Sequence, residues 1–271
     1  MTPAPPREPR TPLLSRAGRW LSATQFARSV VRVGLPRDEG GRLRVIVNNL
    51  FLHLHPATIR RGGVKLSYTW CMGGISSFLF VFELVTGLLL MFYYRPTVAH
   101  AYQDVVALEA VVPMGLVREM HRWGAHLMVI TVWLHMLRVF LTGSYKPPRE
   151  FNWVVGVLLL VLTMLMSFTG YLLPWDQLAM WAVTVGTNMV GAVPFLEPQG
   201  APPTWLTVSG EPLTGPPGSL RTLLLGGQTV GPATLLRFYV LHCLVLPVAM
   251  LVLMAVHFWR IRKDGGISGP L

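Results

Sequence analysis

The sequence predicts an all-α membrane protein: a four-helix transmembrane bundle, preceded by an N-terminal interfacial helix and carrying short helices on its outer surface. Hydrophobic residues make up 52% of the 271 residues and charged residues only 13%, and the mean hydropathy is +0.49. Apolar runs of about 20 residues recur, which is the length of a helix that crosses a bilayer. Because these runs are continuous rather than alternating, we expect helices and not the strands of a membrane barrel.

Four apolar runs qualify as membrane spans, and each is bounded by charged residues or by clusters of proline and glycine. We name them spans 1 to 4 in chain order, and they cover Tyr68–Tyr94, Leu116–Leu141, Trp153–Leu173 and Leu235–Trp259. Together with their connections they form one predicted domain, residues 68–271.

The first 67 residues differ in kind from the rest of the chain. Residues 1–42 are basic and rich in Pro and Arg, and they lack the apolar core of a secretory signal, so we expect a disordered tail that stays on the chain. Residues 43–67 mix apolar and polar positions, which is typical of an amphipathic segment on the membrane surface. His53 and His55 fall there, and we expect them to be solvated rather than ligands.

The distribution of charge predicts the orientation in the membrane. Residues 1–67 hold twelve Lys and Arg against three acids, whereas the connections at 95–117 and 174–234 hold one Arg each against two and three acids. The positive-inside rule therefore places both termini in the cytoplasm. The net charge of +11 lies where anionic lipid would meet it, so no nucleic acid is needed to explain it.

Four histidines form two pairs within the predicted spans. His121 and His135 of span 2 are fourteen residues apart, and His242 and His257 of span 4 are fifteen apart. Either interval is about four helical turns, so the two levels lie about 21 Å apart and the histidines of one helix stay on one face. Two stacked haems b, each ligated by two histidines, need such an arrangement of metal ligands inside the bundle. We call His121 with His242 the first histidine level and His135 with His257 the second; His126 faces away and is expected to pack.

Glycines in the other two spans repeat the same interval. Gly73 and Gly87 of span 1, and Gly156 and Gly170 of span 3, are again fourteen residues apart. A position without a Cβ lets a helix approach the edge or face of a flat macrocycle at the depth of the ligands. The alternative for any single glycine is ordinary close packing of membrane helices.

Several motifs over about residues 66–271 carry a family resemblance. They are H-R-W-x-A-x(9)-H-x(2)-R at 121–138, G-Y-L-L-P-W-D-Q at 170–177, R-F-Y-x-L-H at 237–242 and I-R-K-x-G-G-I-S-G-P-L at the C-terminus. In this order they resemble the short, split cytochrome b, of the cytochrome b-six type, of cytochrome bf and related bc complexes.

The resemblance implies roles for individual residues. His121 with His242 would hold an outer haem b of lower potential, and His135 with His257 an inner haem b of higher potential. Arg118, Arg122 and Arg138 match family arginines near the haem propionates and the quinol cavity; for Arg138 a membrane anchor is the alternative. The Pro174–Gln177 segment and the residues after it resemble the short helices that wall the quinol-oxidation site.

The function implied is that of a dihaem cytochrome b subunit of a quinol:cytochrome c, or plastocyanin-like acceptor, oxidoreductase working by a Q cycle. Such a chain is an electron-transfer subunit without catalytic residues of its own, inactive alone, in a dimeric complex of a cytoplasmic or thylakoid-type membrane. The family's Pro-Glu-Trp-Tyr signature is absent from this sequence, so a separate subunit would bring it. A Rieske iron–sulfur protein and a cytochrome c subunit or acceptor would complete the complex.

The lone Cys71 aligns with a family cysteine that carries a third haem through one thioether bond, and the alternative is a small apolar residue. No C-x-x-C-H motif is present, and neither a role for Cys243 nor a disulfide between the two cysteines is expected. Arg262 and Lys263 are candidates for the inner quinone site or for cytoplasmic anchors.

Two features depart from the family pattern. Glu83 stands where glutamine is usual, and it would tune the outer haem, relay a proton, or replace the glutamine as a neutral acid. Residues 198–232 are longer than the family connection and rich in Gly, Pro and Thr, so we expect a flexible insertion.

Two other functions remain open on the sequence. One is the dihaem cytochrome b anchor of another quinone-linked dehydrogenase or hydrogenase, which needs no Rieske partner. The other is a transporter that uses buried histidines as a proton relay and holds no haem.

Overall fold

The computed structural model describes residues 38–48, 61, 65–191, 193, 207–208, 211–212, 220–227 and 229–268. Within these ranges the protein is helical apart from one antiparallel pair of two-residue strands, Thr207–Val208 and Glu211–Pro212. The predicted all-α architecture is confirmed.

The helices are numbered in chain order. They are α1 Glu39–Asn48, α2 Leu66–Thr69, α3 Met72–Met91, α4 Ala101–Ala110, α5 Val112–Leu141, α6 Glu150–Tyr171, α7 Gln177–Gly191, α8 Leu220–Leu225, α9 Pro232–Val240 and α10 Leu246–Lys263, with a π-helical turn, Leu241–Val245, joining α9 to α10.

Four helical segments are long and apolar enough to cross a membrane: Met72–Met91, Pro113–Leu141, Glu150–Tyr171 and Pro232–Lys263. These are spans 1 to 4, and the protein is a multi-pass membrane protein. Spans 2, 3 and 4 begin three residues earlier than predicted, because the residues before each apolar run continue the helix, whereas spans 1 and 3 end two or three residues before their predicted ends.

Span 1 begins later than the sequence predicts. The predicted start at Tyr68 falls in α2, and the helix is interrupted at Trp70 and Cys71, whose φ angles of 52° and 54° lie in the left-handed region. Neither residue is a glycine, so each conformation is unfavourable and has to be held by its surroundings. The consequence is that Cys71 sits at a break before α3 and not inside a continuous helix.

Span 4 contains a π-helical turn that includes His242. The Leu246 N–H donates to the Leu241 carbonyl, which is the i→i+5 pattern of such a turn. The turn adds one residue, so the fifteen-residue interval from His242 to His257 has the rotation of a fourteen-residue interval in an undistorted helix. The two histidines of span 4 are therefore related by the same rotation about their helix axis as the two histidines of span 2.

The spans pack in pairs around an apolar layer. Span 1 packs along span 2 and span 3 along span 4, and the layer's buried members are Leu79, Phe80, Met128, Val132 and Met250. Met128 lies seven residues from each histidine of span 2, and Met250 lies almost midway between those of span 4. The layer thus separates the two histidine levels with side chains that carry no charge.

Short helices cover the end of the bundle nearest the first histidine level, as predicted. A second apolar cluster forms there from Leu172, Ala179, Val183, Leu225 and Phe238. The predicted flexible insertion at 198–232 is corrected in its last part: α8 is helical, its Leu225 is fully buried, and the Thr234 hydroxyl donates to the Leu225 carbonyl at 2.7 Å.

Helix α1 lies across the predicted boundary between tail and interfacial segment. Helix α1 begins at Glu39, inside the predicted basic tail of residues 1–42, because the Asp38 side chain accepts from the Gly41 N–H and caps it. Residues 1–37 and most of 49–64, with His53 and His55, lie outside the described residues.

One ion pair fixes the connection between spans 1 and 2. Three groups of Arg95, its backbone N–H, Nε and Nη2, donate to the Asp104 carboxylate at 2.9, 3.0 and 2.6 Å. The hydrogen bonds from Arg95 lower the pKa of Asp104. Next to this pair the Tyr94 hydroxyl donates to the Leu173 carbonyl at 2.7 Å, so the connection is tied to the end of span 3.

We expect Asp104→Asn to lower the melting temperature of the membrane-embedded protein at pH 7. Because the pKa of Asp104 is depressed in the folded state, the stabilisation is present above its unfolded value of about 3.9 and is lost as the pH falls through the folded pKa. Thermal melting of both proteins between pH 7 and pH 3 checks this, and the difference should shrink only below about pH 4. Equal melting temperatures at pH 7 would contradict it.

Candidate cofactor site

The structure brings the four predicted histidines together as two facing pairs. The ring centroids of His121 and His242 are 6.2 Å apart with planes at 85°, and those of His135 and His257 are 6.5 Å apart at 77°. With metal–nitrogen bonds of about 2 Å and a ring centre about 1 Å behind each nitrogen, two imidazoles on opposite sides of one ion have centroids about 6 Å apart. Both pairs therefore fit axial ligation of one metal ion each.

Each predicted glycine faces one of these histidines. A Cβ built on the glycine would lie 3.2 Å from Cε1 of His121 at Gly87, 2.6 Å from that of His242 at Gly170, 3.3 Å from that of His135 at Gly73 and 3.8 Å from that of His257 at Gly156. Spans 1 and 3 thus leave the space that the rings occupy, most tightly at Gly170. At Gly156 an added methyl group would make only ordinary van der Waals contact.

Two threonines that sequence reasoning missed orient the histidines of the first level. Thr86 Oγ1 lies 2.9 Å from His121 Nδ1, and Thr169 Oγ1 lies 3.2 Å from His242 Nδ1. Each hydroxyl also donates to the carbonyl four residues earlier, so its oxygen is available to accept a proton from Nδ1. Such a bond leaves Nε2 deprotonated and free for a metal. The signal available in the sequence was that a threonine directly precedes each of the two glycines of this level.

The second histidine level has a buried cation instead. Nε and Nη2 of Arg138 are buried without a hydrogen-bond partner among the described residues, and the guanidinium lies 4.5 Å from the centroid of the Tyr68 ring. Nδ1 of His257 is likewise buried and unpartnered in the described part. A buried guanidinium needs an anion. The carboxylate groups on a haem edge would fit this donor set.

The other two predicted arginines are compensated by acids of the protein. Arg118 Nη1 lies 2.6 Å from Glu109 Oε1 and 3.1 Å from Glu119 Oε1. Arg122 Nη2 lies 3.2 Å from Glu119 Oε2, and its side chain is 54% exposed. In this structure the contacts of both arginines are with Glu109 and Glu119, and their predicted role near a haem propionate or the quinol cavity stays a prediction.

The cysteines and the fifth histidine of the spans lie apart from the two pairs. Cys71 is an exposed free thiol two residues before Gly73, and Cys243 is a half-buried free thiol in the π turn. His126 contacts the Arg122 carbonyl through Nδ1 at 2.7 Å and lies beside Trp123. His126 is exposed, so it faces outward rather than packing inside the bundle.

Two cavities lie at the end nearest the first level. An apolar one of about 220 Å³ is lined by residues of spans 3 and 4 and of helices α7 and α8, including Phe168, Thr169 and Phe238. An open cleft of about 520 Å³ is lined by Tyr102, by residues 175–177 of the P-W-D-Q segment and by Leu178. In that region Asp176 also accepts from the Ala179 N–H at 2.7 Å, which caps helix α7.

Most of the chain matches one known protein family. The family described as "Cytochrome b/b6/petB" matches residues 61–265, which is well over half of the chain. The chain belongs to the cytochrome b/b6 family. The family implies haem b, and the two histidine pairs provide ligands that suit it.

Individual members of the cytochrome b/b6 family are similar over most of their length. Cytochrome b6 of Gracilaria tenuistipitata var. liui is 45% identical over 203 residues, covering 74% of this chain and 85% of the relative. The menaquinol:cytochrome c reductase cytochrome b subunit of Geobacillus thermodenitrificans is 42% identical over 207 residues, covering 76% and 83%.

A solved chain of a "Hyperthermophilic respiratory Complex III" superposes with a TM-score of 0.63 at 26% identity, covering 93% of this chain and 56% of that one. This chain therefore spans a little more than half the length of that solved chain.

The different distances from the glycines to the histidine rings predict that alanine substitutions will reduce haem content to different extents. Gly170→Ala places a methyl group against His242, so we expect most of the first-level haem to be lost, whereas Gly156→Ala should retain both haems. Reduced-minus-oxidised spectra of purified protein, scaled to protein content, check this. Equal haem content in the two variants would show that close approach to the rings does not matter.

Proposed function

We propose that the protein is a dihaem cytochrome b that carries electrons across the membrane between two quinone sites by a Q cycle. The observation that carries this proposal is the presence of two facing histidine pairs, one at each level of a four-helix membrane bundle. Membership of the cytochrome b/b6 family makes the chain an electron-transfer subunit of an oxidoreductase complex, a cytochrome b subunit of a quinol–cytochrome c oxidoreductase.

The protein's own contribution is ligation, spacing and electrostatics. His121 and His242 would ligate one haem and His135 and His257 the other, and the bound haems supply reversible one-electron transfer. Thr86 and Thr169 accept the Nδ1 protons of the first pair, and Arg138 is suited to an anionic edge at the second level. Met128 and the apolar layer around it keep the space between the levels free of charge.

The orientation follows from the charge distribution given by the sequence. With both termini cytoplasmic, the first histidine level is the outer one and the second is the inner one. Quinol oxidised at the outer side gives one electron to a Rieske centre and the second to the outer level of this chain. The second electron would then cross to the inner level, where two successive quinol oxidations would supply the two electrons that reduce one quinone to quinol, so protons would be released outside and taken up inside.

The cavities suggest where the quinone head groups would lie. The apolar cavity between span 3 and helix α7 includes Thr169, which contacts the ligand His242, so a quinol there would be one residue from the electron-accepting pair. On the inner side, Arg262 and Lys263 are candidates for the site where quinone is reduced. The Lys263 ammonium lies 5.0 Å from the centroid of the Trp259 ring, so an anchor at the membrane surface is its alternative role.

Cys71 would bind a third haem covalently. Its thiol is exposed at the break before α3, and Gly73, two residues on, faces the ligand His135. A haem held there by one thioether bond would lie at the inner level, next to the quinone-reduction side. The interrupted backbone at Trp70 and Cys71 favours this role, because a strained exposed thiol is unusual as packing.

Other subunits complete the complex, since the family members named above belong to such assemblies. We infer a subunit with the Pro-Glu-Trp-Tyr motif, a Rieske iron–sulfur protein and a cytochrome c, in a dimeric complex. A Rieske protein that co-purifies would distinguish this function from that of a dihaem anchor of another dehydrogenase.

A haem inventory tests the proposal. Pyridine-haemochrome spectra of the purified complex, before and after acid-acetone extraction, should show two extractable haems b per chain and one haem retained on the polypeptide. In Cys71→Ser we expect the retained haem to disappear and the two extractable haems to remain. No haem on the chain would contradict the function, and a retained haem in Cys71→Ser would contradict the role of Cys71.

A further inference from the structure

The first histidine level holds a buried carboxylate that the ligation scheme does not use. Oε2 of Glu83 lies 2.9 Å from Nδ1 of His121, and the Glu83 side chain is only 14% exposed. The other oxygen, Oε1, is buried and has no hydrogen-bond partner within the described ranges. Glu83 therefore directs its one polar contact at the histidine.

The surrounding residues leave a specific space for this carboxyl group. Gly124 follows His121 by three residues on span 2, and a Cβ at Gly124 would overlap Glu83 Oε1. The same Cβ would lie 3.0 Å from the Phe82 ring. The carboxyl group thus occupies a space that any residue other than glycine at position 124 would fill.

The positions of the protons on the imidazole determine which group donates in the contact between His121 and Glu83. An imidazole that ligates a metal through Nε2 carries its proton on Nδ1 and can only donate there. The Nδ1 proton of His121 has two acceptors, Thr86 Oγ1 and Glu83 Oε2, each at 2.9 Å. His242, on the opposite side of the same level, has the Thr169 hydroxyl at 3.2 Å and no carboxylate in contact among the described residues.

We propose that Glu83 is a positioning residue for the outer haem: its carboxylate accepts the Nδ1–H of His121, orients the ring and lowers the reduction potential of that haem relative to the inner one. This inference rests on the proposed function. A carboxylate acceptor makes the ligand more basic and stabilises the oxidised metal, as carboxylate–histidine pairs do at other metal centres. A lower outer potential favours transfer of the electron toward the inner level.

Glu83→Gln tests the inference, because glutamine keeps the size and an acceptor oxygen but removes the charge. Redox titration of the b bands in membranes containing the whole complex should show one component shifted to higher potential. We expect at least a tenfold change in its equilibrium constant for reduction, which is about 59 mV for a one-electron couple. The shifted component should be the one that is missing in His242→Ala, and the other component should not move.

Two further variants keep the result interpretable. Gly124→Ala leaves Glu83 in the sequence but displaces its carboxyl group, so it should shift the same component in the same direction. Glu150→Gln removes an exposed carboxylate at the start of span 3 and should shift neither component. If the outer component stays in place in both Glu83→Gln and Gly124→Ala, or if both components shift equally, the inference is wrong. Absence of haem from the unmodified complex would instead overturn the proposed function itself.

Discussion

The separation of two facing imidazole rings, which is the separation that ligation of one metal ion from both sides would need, is the constraint on which the rest of the structure depends. It has to be met twice, at 6.2 and 6.5 Å between ring centroids, by residues from two different helices. Spans 1 and 3 must therefore leave space for the rings at the same depths, and the glycines that face the rings provide it. The π turn in span 4 has the same purpose, because it rotates His242 into line with His257 across a fifteen-residue interval.

Charge is distributed to suit electron transfer rather than stability. Between the levels the core cluster that includes Leu79, Phe80 and Met250 is apolar, and the buried polar side chains there, Thr131 and Thr163, are uncharged. Polar groups occur at the levels themselves, where Thr86 and Thr169 contact Nδ1 atoms and two guanidinium nitrogens of Arg138 have no hydrogen-bond partner among the described residues. A buried cation and a buried carboxylate are both costly in a membrane, so their positions at the two levels indicate function.

The sequence was sufficient to predict the four spans and which histidines face each other, because histidine is rare in an apolar run and its spacing is easy to measure. Other features depend on small energy differences with little trace in the sequence. An α turn and a π turn differ by one residue, and Pro247, which has no N–H to donate, is the main signal of the π turn. The break at Trp70 and Cys71 uses residues that do not favour a positive φ, and the proline and glycine around α8 concealed a short, partly buried helix.

Low-temperature electron paramagnetic resonance of the oxidised complex tests the pairing of the four histidines most directly. Two low-spin haem signals are expected, and substitution of one ligand should remove one of them. The account predicts that His121→Ala and His242→Ala remove the same signal and that His135→Ala and His257→Ala remove the other. If His121→Ala and His135→Ala removed the same signal, the two-level arrangement would be contradicted.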